Sequence, residues 1–248
     1  VNRTTVFETI QQDLKFSLRT MRNHPAFSVA VVLTIALGIG ANTAMFSVIR
    51  AVLLKPLDYR DPDRVVVLTE GATPGRVEEL AGKSRSYSEI GSYAGPEDVA
   101  LSGSGAPEVL NGARVSADFL SILGVRPLYG RSFFSNEDKP GAAAVAMISA
   151  ELWRRRFGDD RAIVGKKATL AGIPATIVGV LPPGFQFPLA GTDVWLTKPS
   201  EWPVLAPKAR LMSPFLSIFG RLKPGVNVEQ ANAELAAFNR AYAASHPG

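Results

Sequence analysis

The sequence contains no cysteine. Disulfide staples, thiolate metal sites and cysteine nucleophiles are excluded together, and the absence fits a reducing or an oxidising compartment equally well. Histidine is nearly as scarce, with His24 beside an apolar run and His246 in the C-terminal tail. A Ser-His-Asp triad or a histidine metal site needs an imidazole inside the fold, so neither chemistry has its key residue. Strong charge is lacking too: the formal net charge is +5, with no basic stripe that would suit nucleic acid. The dense run Arg154-Arg155-Arg156 reads as the solvated side of a short helix.

Motifs for phosphate or metal chemistry also fall short. Gly82-Lys83-Ser84 has the ending of a phosphate loop, but Val77 stands where the first glycine is required for backbone amides to wrap a phosphate. Glu137-Asp138 and Asp159-Asp160 are adjacent carboxylates, which rarely converge on one ion, and they read as solvated loop charge. The residues therefore point to a protein that is not an enzyme and uses no cofactor or metal.

What the chain does have is a long uncharged run. Residues 26–49, AFSVAVVLTIALGIGANTAMFSVI, carry no charged side chain. At 1.5 Å rise per residue the run covers about 36 Å, enough to cross a hydrocarbon core of about 30 Å. Backbone groups in lipid must be paired internally, so the run is expected to be a helix. A cleaved signal peptide fits less well, because apolar character resumes at Met45, Phe46, Val48 and Ile49 after the small residues. Gly40 and Ala44 make a small-xxx-small pair, and Asn42 lies between them. We read these three as a packing face toward other membrane helices.

Ahead of the run, Phe7, Ile10, Leu14, Leu18 and Met21 recur at helical spacing, and Thr5 with Glu8 has the spacing of a capping box. Residues 1–24 are thus expected to form an amphipathic interfacial helix contacting membrane lipid, and 25–56 a transmembrane helix with its stalk. Basic residues flank the span on both sides, so charge does not orient it.

The remainder, 57–248, alternates short strand and helix patterns. Strands are expected over 65–68, 109–115, 144–148, 194–197 and 215–222, and a hairpin over 167–171 and 175–180. Short helices are expected over 117–123 and 151–157. Residues 71–105 are polar and rich in Gly and Pro, and suggest only a short helix over 87–92. At the end, Asn227 and Gln230 have capping spacing, and Val228, Ala231, Leu235, Phe238 and Tyr242 form a helical apolar stripe. Strands and helices without a regular βαβ rhythm indicate an α+β fold.

The stretch RNHPAFSVAVVLTIALGIGANTAMFSVIRAVLLKPLDYRDPDRVVVL resembles the first membrane helix of MacB-type ABC transporter permeases, most of all the duplicated permease group common in acidobacteria. VSADFLSILGVRPLYGRSFFSNED, ISAELWRRRFG, IVGKKATLAGIPATIVGVLPPGFQFP, DVWL and GRLKPGVNVEQANAELA follow in order and resemble the MacB-like periplasmic core domain. The resemblance implies a two-part periplasmic domain over 57–248: a porter-like α/β part with a small α/β part inserted at 126–205. It also implies a cognate cytoplasmic ABC ATPase, a permease dimer partner, a periplasmic adaptor in some members, and an inner-membrane location with the domain in the periplasm. Such permeases carry three further membrane helices after this domain, so the chain ending at Gly248 is expected to be a fragment. The function implied is that of a permease subunit coupling ATP hydrolysis elsewhere to periplasmic conformational change. The rival reading is a stand-alone membrane-anchored binding module.

Overall fold

The computed structural model describes residues 25–49, 59–103 and 105–246. The chain divides into two compact units, Val1–Leu57 and Asp58–Gly248. In the first, Pro25–Ile49 forms one helix, α1, with Pro25 in the first turn, where its missing N–H costs nothing. Val29, Leu33, Ile35, Leu37 and Ile39 are exposed on it. Among the described residues no helix is long and apolar enough to cross a membrane. Gly40 and Asn42 are exposed, whereas the side chain of Ala44, the expected interfacial helix 1–24 and the stalk after Ile49 lie outside the described residues.

The second unit is a mixed α+β domain around one nine-stranded sheet. Its strands are β1 (Val65–Ala72), β2 (Tyr87–Ser102), β3 (Glu108–Val115), β4 (Tyr129–Gly130), β5 (Val145–Ile148), β6 (Lys167–Leu170), β7 (Ile173–Val180), β8 (Val194–Leu196) and β9 (Leu216–Leu222). The spatial order is β1-β9-β2-β3-β8-β5-β7-β4, and β6 pairs with both β2 and β7. The helices are α2 (Pro74–Lys83), α3 (Phe119–Leu123), α4 (Ala150–Phe157), α5 (Pro207–Met212) and α6 (Val228–Ser245).

Residues 71–105 depart from expectation. They hold α2, capped by the Thr73 hydroxyl, which accepts from the Arg76 amide at 3.4 Å, and the long strand β2. Sequence periodicity hid β2 because a bulge between Ala94 and Glu97 breaks its alternation. Tyr87–Tyr93 of β2 pair with β9, Tyr93–Leu101 pair with β3 across the bulge, and Leu101–Ser102 pair with β6. One strand thus links β9 and β3 to β6, and the expected inserted segment 126–205 contains β4 to β8 and α4.

The two faces of the sheet are covered differently. On β9, Leu216, Ile218 and Leu222 pack toward Leu80 of α2 and Ala231 and Leu235 of α6, while Phe219 packs toward α3. That is the period-two alternation of a strand covered on both faces. Around β5 to β8, Leu152 and Trp153 of α4 close a second core with Ile148, Ile177 and Leu196.

The hairpin, α4 and α6 fall close to where they are expected. In α6, Asn227 and Gln230 form the reciprocal capping box, and Ala231 and Leu235 are buried. Val228, the first residue of the expected stripe, is exposed, because it sits in the opening turn before the helix reaches the sheet.

Candidate cleft in the second unit

A cleft of about 650 Å³ opens among α2, β2, α3 and two 3-10 turns, Ser135–Asp138 and Pro199–Glu201. This volume lies in the usual range for ligand-holding cavities, about 300–1,000 Å³. Its floor is apolar, from Ile90, Val125, Phe133 and Leu216, and its rim carries serine hydroxyls and the carboxylates of Glu78, Asp118 and Asp138. None of the lining residues is basic.

The rear wall depends on Gly91. A Cβ there would lie 2.5 Å from the Ser116 hydroxyl and 2.7 Å from the Ile122 Cδ1, so a side chain at 91 would push aside Ser116 and Ile122, which pack onto β2. Ser116 then donates its amide to the Ser92 carbonyl at 2.8 Å and accepts from the Ser92 amide through its hydroxyl at 3.2 Å.

The front wall is the turn Ser135–Asp138. Arg131 forms a bidentate pair with Glu137, at 2.7 and 2.9 Å, and its guanidinium lies 3.9 Å from the Phe134 ring centre. Burial alone would raise the Glu137 carboxyl. The Arg131 hydrogen bond, the Phe134 amide at 2.8 Å and the Arg131 charge outweigh it and hold that carboxyl below its ordinary range.

Asp138 does a different job. Its carboxylate accepts from the Ala117 amide at 3.2 Å and from the Lys198 amide at 2.6 Å. It therefore ties the turn to Ala117, ahead of the expected insertion, and to Lys198 within it. Burial raises its carboxyl, and the two amides offset this only in part. The expectation that Glu137-Asp138 is solvated loop charge is thus corrected: a 3-10 turn aims the two side chains in different directions, and both are partnered. Arg131 six residues earlier was the available signal, though spacing alone does not single out that pair.

Other polar candidates resolve into structure. Lys83 ends α2 and pairs with Glu79 at 2.6 Å. Gly82-Lys83-Ser84 therefore sits at a helix C-terminus, whose partial negative charge disfavours phosphate. Arg155 pairs with Glu108 at 2.7 Å and lies 3.5 Å from Asp193, while Arg154 faces Asp159. Among the described residues no group of three or more metal-ligating side chains is gathered.

Residues 28–238 match the sequence model of the MacB-like periplasmic core domain. The chain belongs to that family. Solved structures agree in fold. The periplasmic region of MacB from Actinobacillus actinomycetemcomitans superposes with TM-score 0.55 at 13% identity, over 70% of this chain and 75% of that one. A domain of a putative permease protein from Porphyromonas gingivalis gives 0.54 at 18% identity, over 74% and 86%. The extracellular domain of the noncanonic ABC-type transporter YknZ from Gram-positive bacteria gives 0.51 at 13%, over 72% and 92%. No curated protein matches the sequence. As a MacB-like core domain, the second unit places its cleft beside α2 and α3 and holds it with Gly91, Arg131, Glu137 and Asp138.

Proposed function

We propose that this chain is the first membrane helix and periplasmic domain of a MacB-type permease, which couples ATP hydrolysis by a cytoplasmic ABC ATPase to movement outside the membrane. The supporting observation is the extent of the family match, which begins at residue 28 within the uncharged helix α1 and runs through the ectodomain to 238. In this reading α1 spans the inner membrane, with Gly40, Asn42 and Ala44 facing neighbouring membrane helices. Residues 1–24 lie against lipid on the cytoplasmic side, and the domain projects into the periplasm. The chain itself performs no chemistry. Nucleotide hydrolysis on a partner moves the membrane helices, and the connection after Ile49 carries the motion to the domain. A second permease subunit, and in some assemblies a periplasmic adaptor, complete the machine.

Orientation is the decisive test, and a chain without cysteine makes it clean. Ser17→Cys and Lys139→Cys, made separately, give one thiol each on opposite sides of α1. In intact spheroplasts a membrane-impermeant maleimide should label the Lys139→Cys variant at once, and the Ser17→Cys variant only after detergent. The reverse pattern would put the domain on the ATPase side and end the coupling role. Labelling of both before lysis would mean that α1 does not span.

A further inference from the structure

Next to the cleft stands its chemical opposite. Helix α5 and the loop before it expose Val204, Leu211 and Met212, at 63%, 72% and 84%. The same segment carries Lys208 and Arg210, and residues 202–215 contain no acidic side chain. The knob is braced from beneath. Trp202 stacks on Phe215, with ring centres 5.8 Å apart and planes at 19°, and Arg210 donates to the Leu205 carbonyl at 2.7 Å. Large apolar side chains held out on a braced support mark a surface built to be covered.

The position of the knob narrows what covers it. α5 packs against α2 and the Pro199–Glu201 turn, and both of these also line the cleft. Knob and cleft therefore share two supporting elements, α2 and the Pro199–Glu201 turn. A surface that carries a projection beside a matching depression is self-complementary under a two-fold axis, because each copy can offer its knob to the other's hole. The chemistry matches in both respects. Met212 and Leu211 suit the floor of Ile90, Val125, Phe133 and Leu216, and methionine adapts readily to an irregular apolar cavity. Lys208 and Arg210 suit a rim with Glu78, Asp118 and Asp138 and no basic residue.

We infer that the occupant of the cleft is a second copy of this chain: α5 of each ectodomain seats in the cleft of the other, with Met212 as the anchor. The inference rests on the proposed reading that the permease works as a pair, and adds the surface through which its ectodomains meet. It assigns the acidic rim a role in pairing, with Glu78 facing the partner's basic knob.

The test again uses the absence of native cysteine. Met212→Cys and Ser135→Cys are made in separate, differently tagged full-length chains, purified in detergent, mixed and mildly oxidised. The mixed disulfide should form roughly tenfold faster than in a control mixture of Met212→Cys with Lys167→Cys, since docking raises the effective thiol concentration. Adding Lys208→Glu to the Met212→Cys chain should slow it, and adding Glu78→Lys to the Ser135→Cys chain should then restore it. Light scattering on the unmodified chain separates the two levels of the argument. A dimer whose mixed disulfide forms no faster than the control would overturn the contact and leave the pairing intact. A monomer would overturn both.

Discussion

Replacing Asp138 by alanine leaves the amides of Ala117 and Lys198 without their acceptor. An orphaned buried donor costs about 1–3 kcal/mol, so Asp138→Ala should lower the unfolding midpoint clearly in urea. The three tryptophans, Trp153, Trp195 and Trp202, all lie in the second unit, so their fluorescence reports that unit without interference from the first. Glu137 gives the complementary pH experiment. Its folded carboxyl is held below the ordinary range, so its contribution is present above the unfolded value of about 4.3 and is lost as pH falls through the folded one. Glu137→Gln should therefore weaken the domain at neutral pH and flatten the acid limb of its stability curve. An unchanged acid limb would mean that the Arg131 pair contributes nothing. Asp138 works in the opposite sense, since burial raises its carboxyl and favours the folded state as pH falls.

At the level of elements, α6 makes the sharpest claim. Leu235 is 9% exposed beneath the sheet, and Leu235→Ala should cost about 2–5 kcal/mol. Asn227→Ala, which removes the capping box, should cost about 1 kcal/mol. Val228→Ala should change little, because that side chain faces solvent. Equal midpoint shifts for Leu235→Ala and Val228→Ala would show the wrong face assigned to the core. The legibility of the elements follows the same logic. α6 was readable because its apolar spacing and cap are local, and the β6–β7 hairpin because Gly172 and Pro174 punctuate it. β2 was not, since a bulge and a change of partner erase its period, and its pairing with β9 spans most of the domain. The cleft was hidden for the same reason: Gly91, Asp138 and Ser200 meet only through tertiary structure.

For the whole molecule, the first question is whether α1 holds the chain in a membrane. Leu37→Arg places a charge near the middle of the uncharged run, where insertion scales put the cost at roughly 2.5–3.5 kcal/mol. It should move a large share of the chain from the carbonate-resistant membrane pellet to the supernatant, and a wild type already released by carbonate would defeat the assignment. The sheet order bears on how such a chain is made. Among the described residues β1 has β9 as its only paired neighbour, and β9 is the last strand in the sequence. The strands from β4 to β8 pair largely with one another and can settle as they are synthesised, whereas Val65–Ala72 must wait for Leu216–Leu222. At about 5–20 residues per second, that wait is roughly 7–30 s of translation. During it the nascent chain presents Val65, Val66, Val67 and Leu68 with their backbone unpaired, a stretch suited to capture by another chain. The biosynthetic hazard of this protein therefore falls on β1 and on Tyr87–Ser92 of β2, which also pair with β9, and a helper that shields emerging strands would act there first.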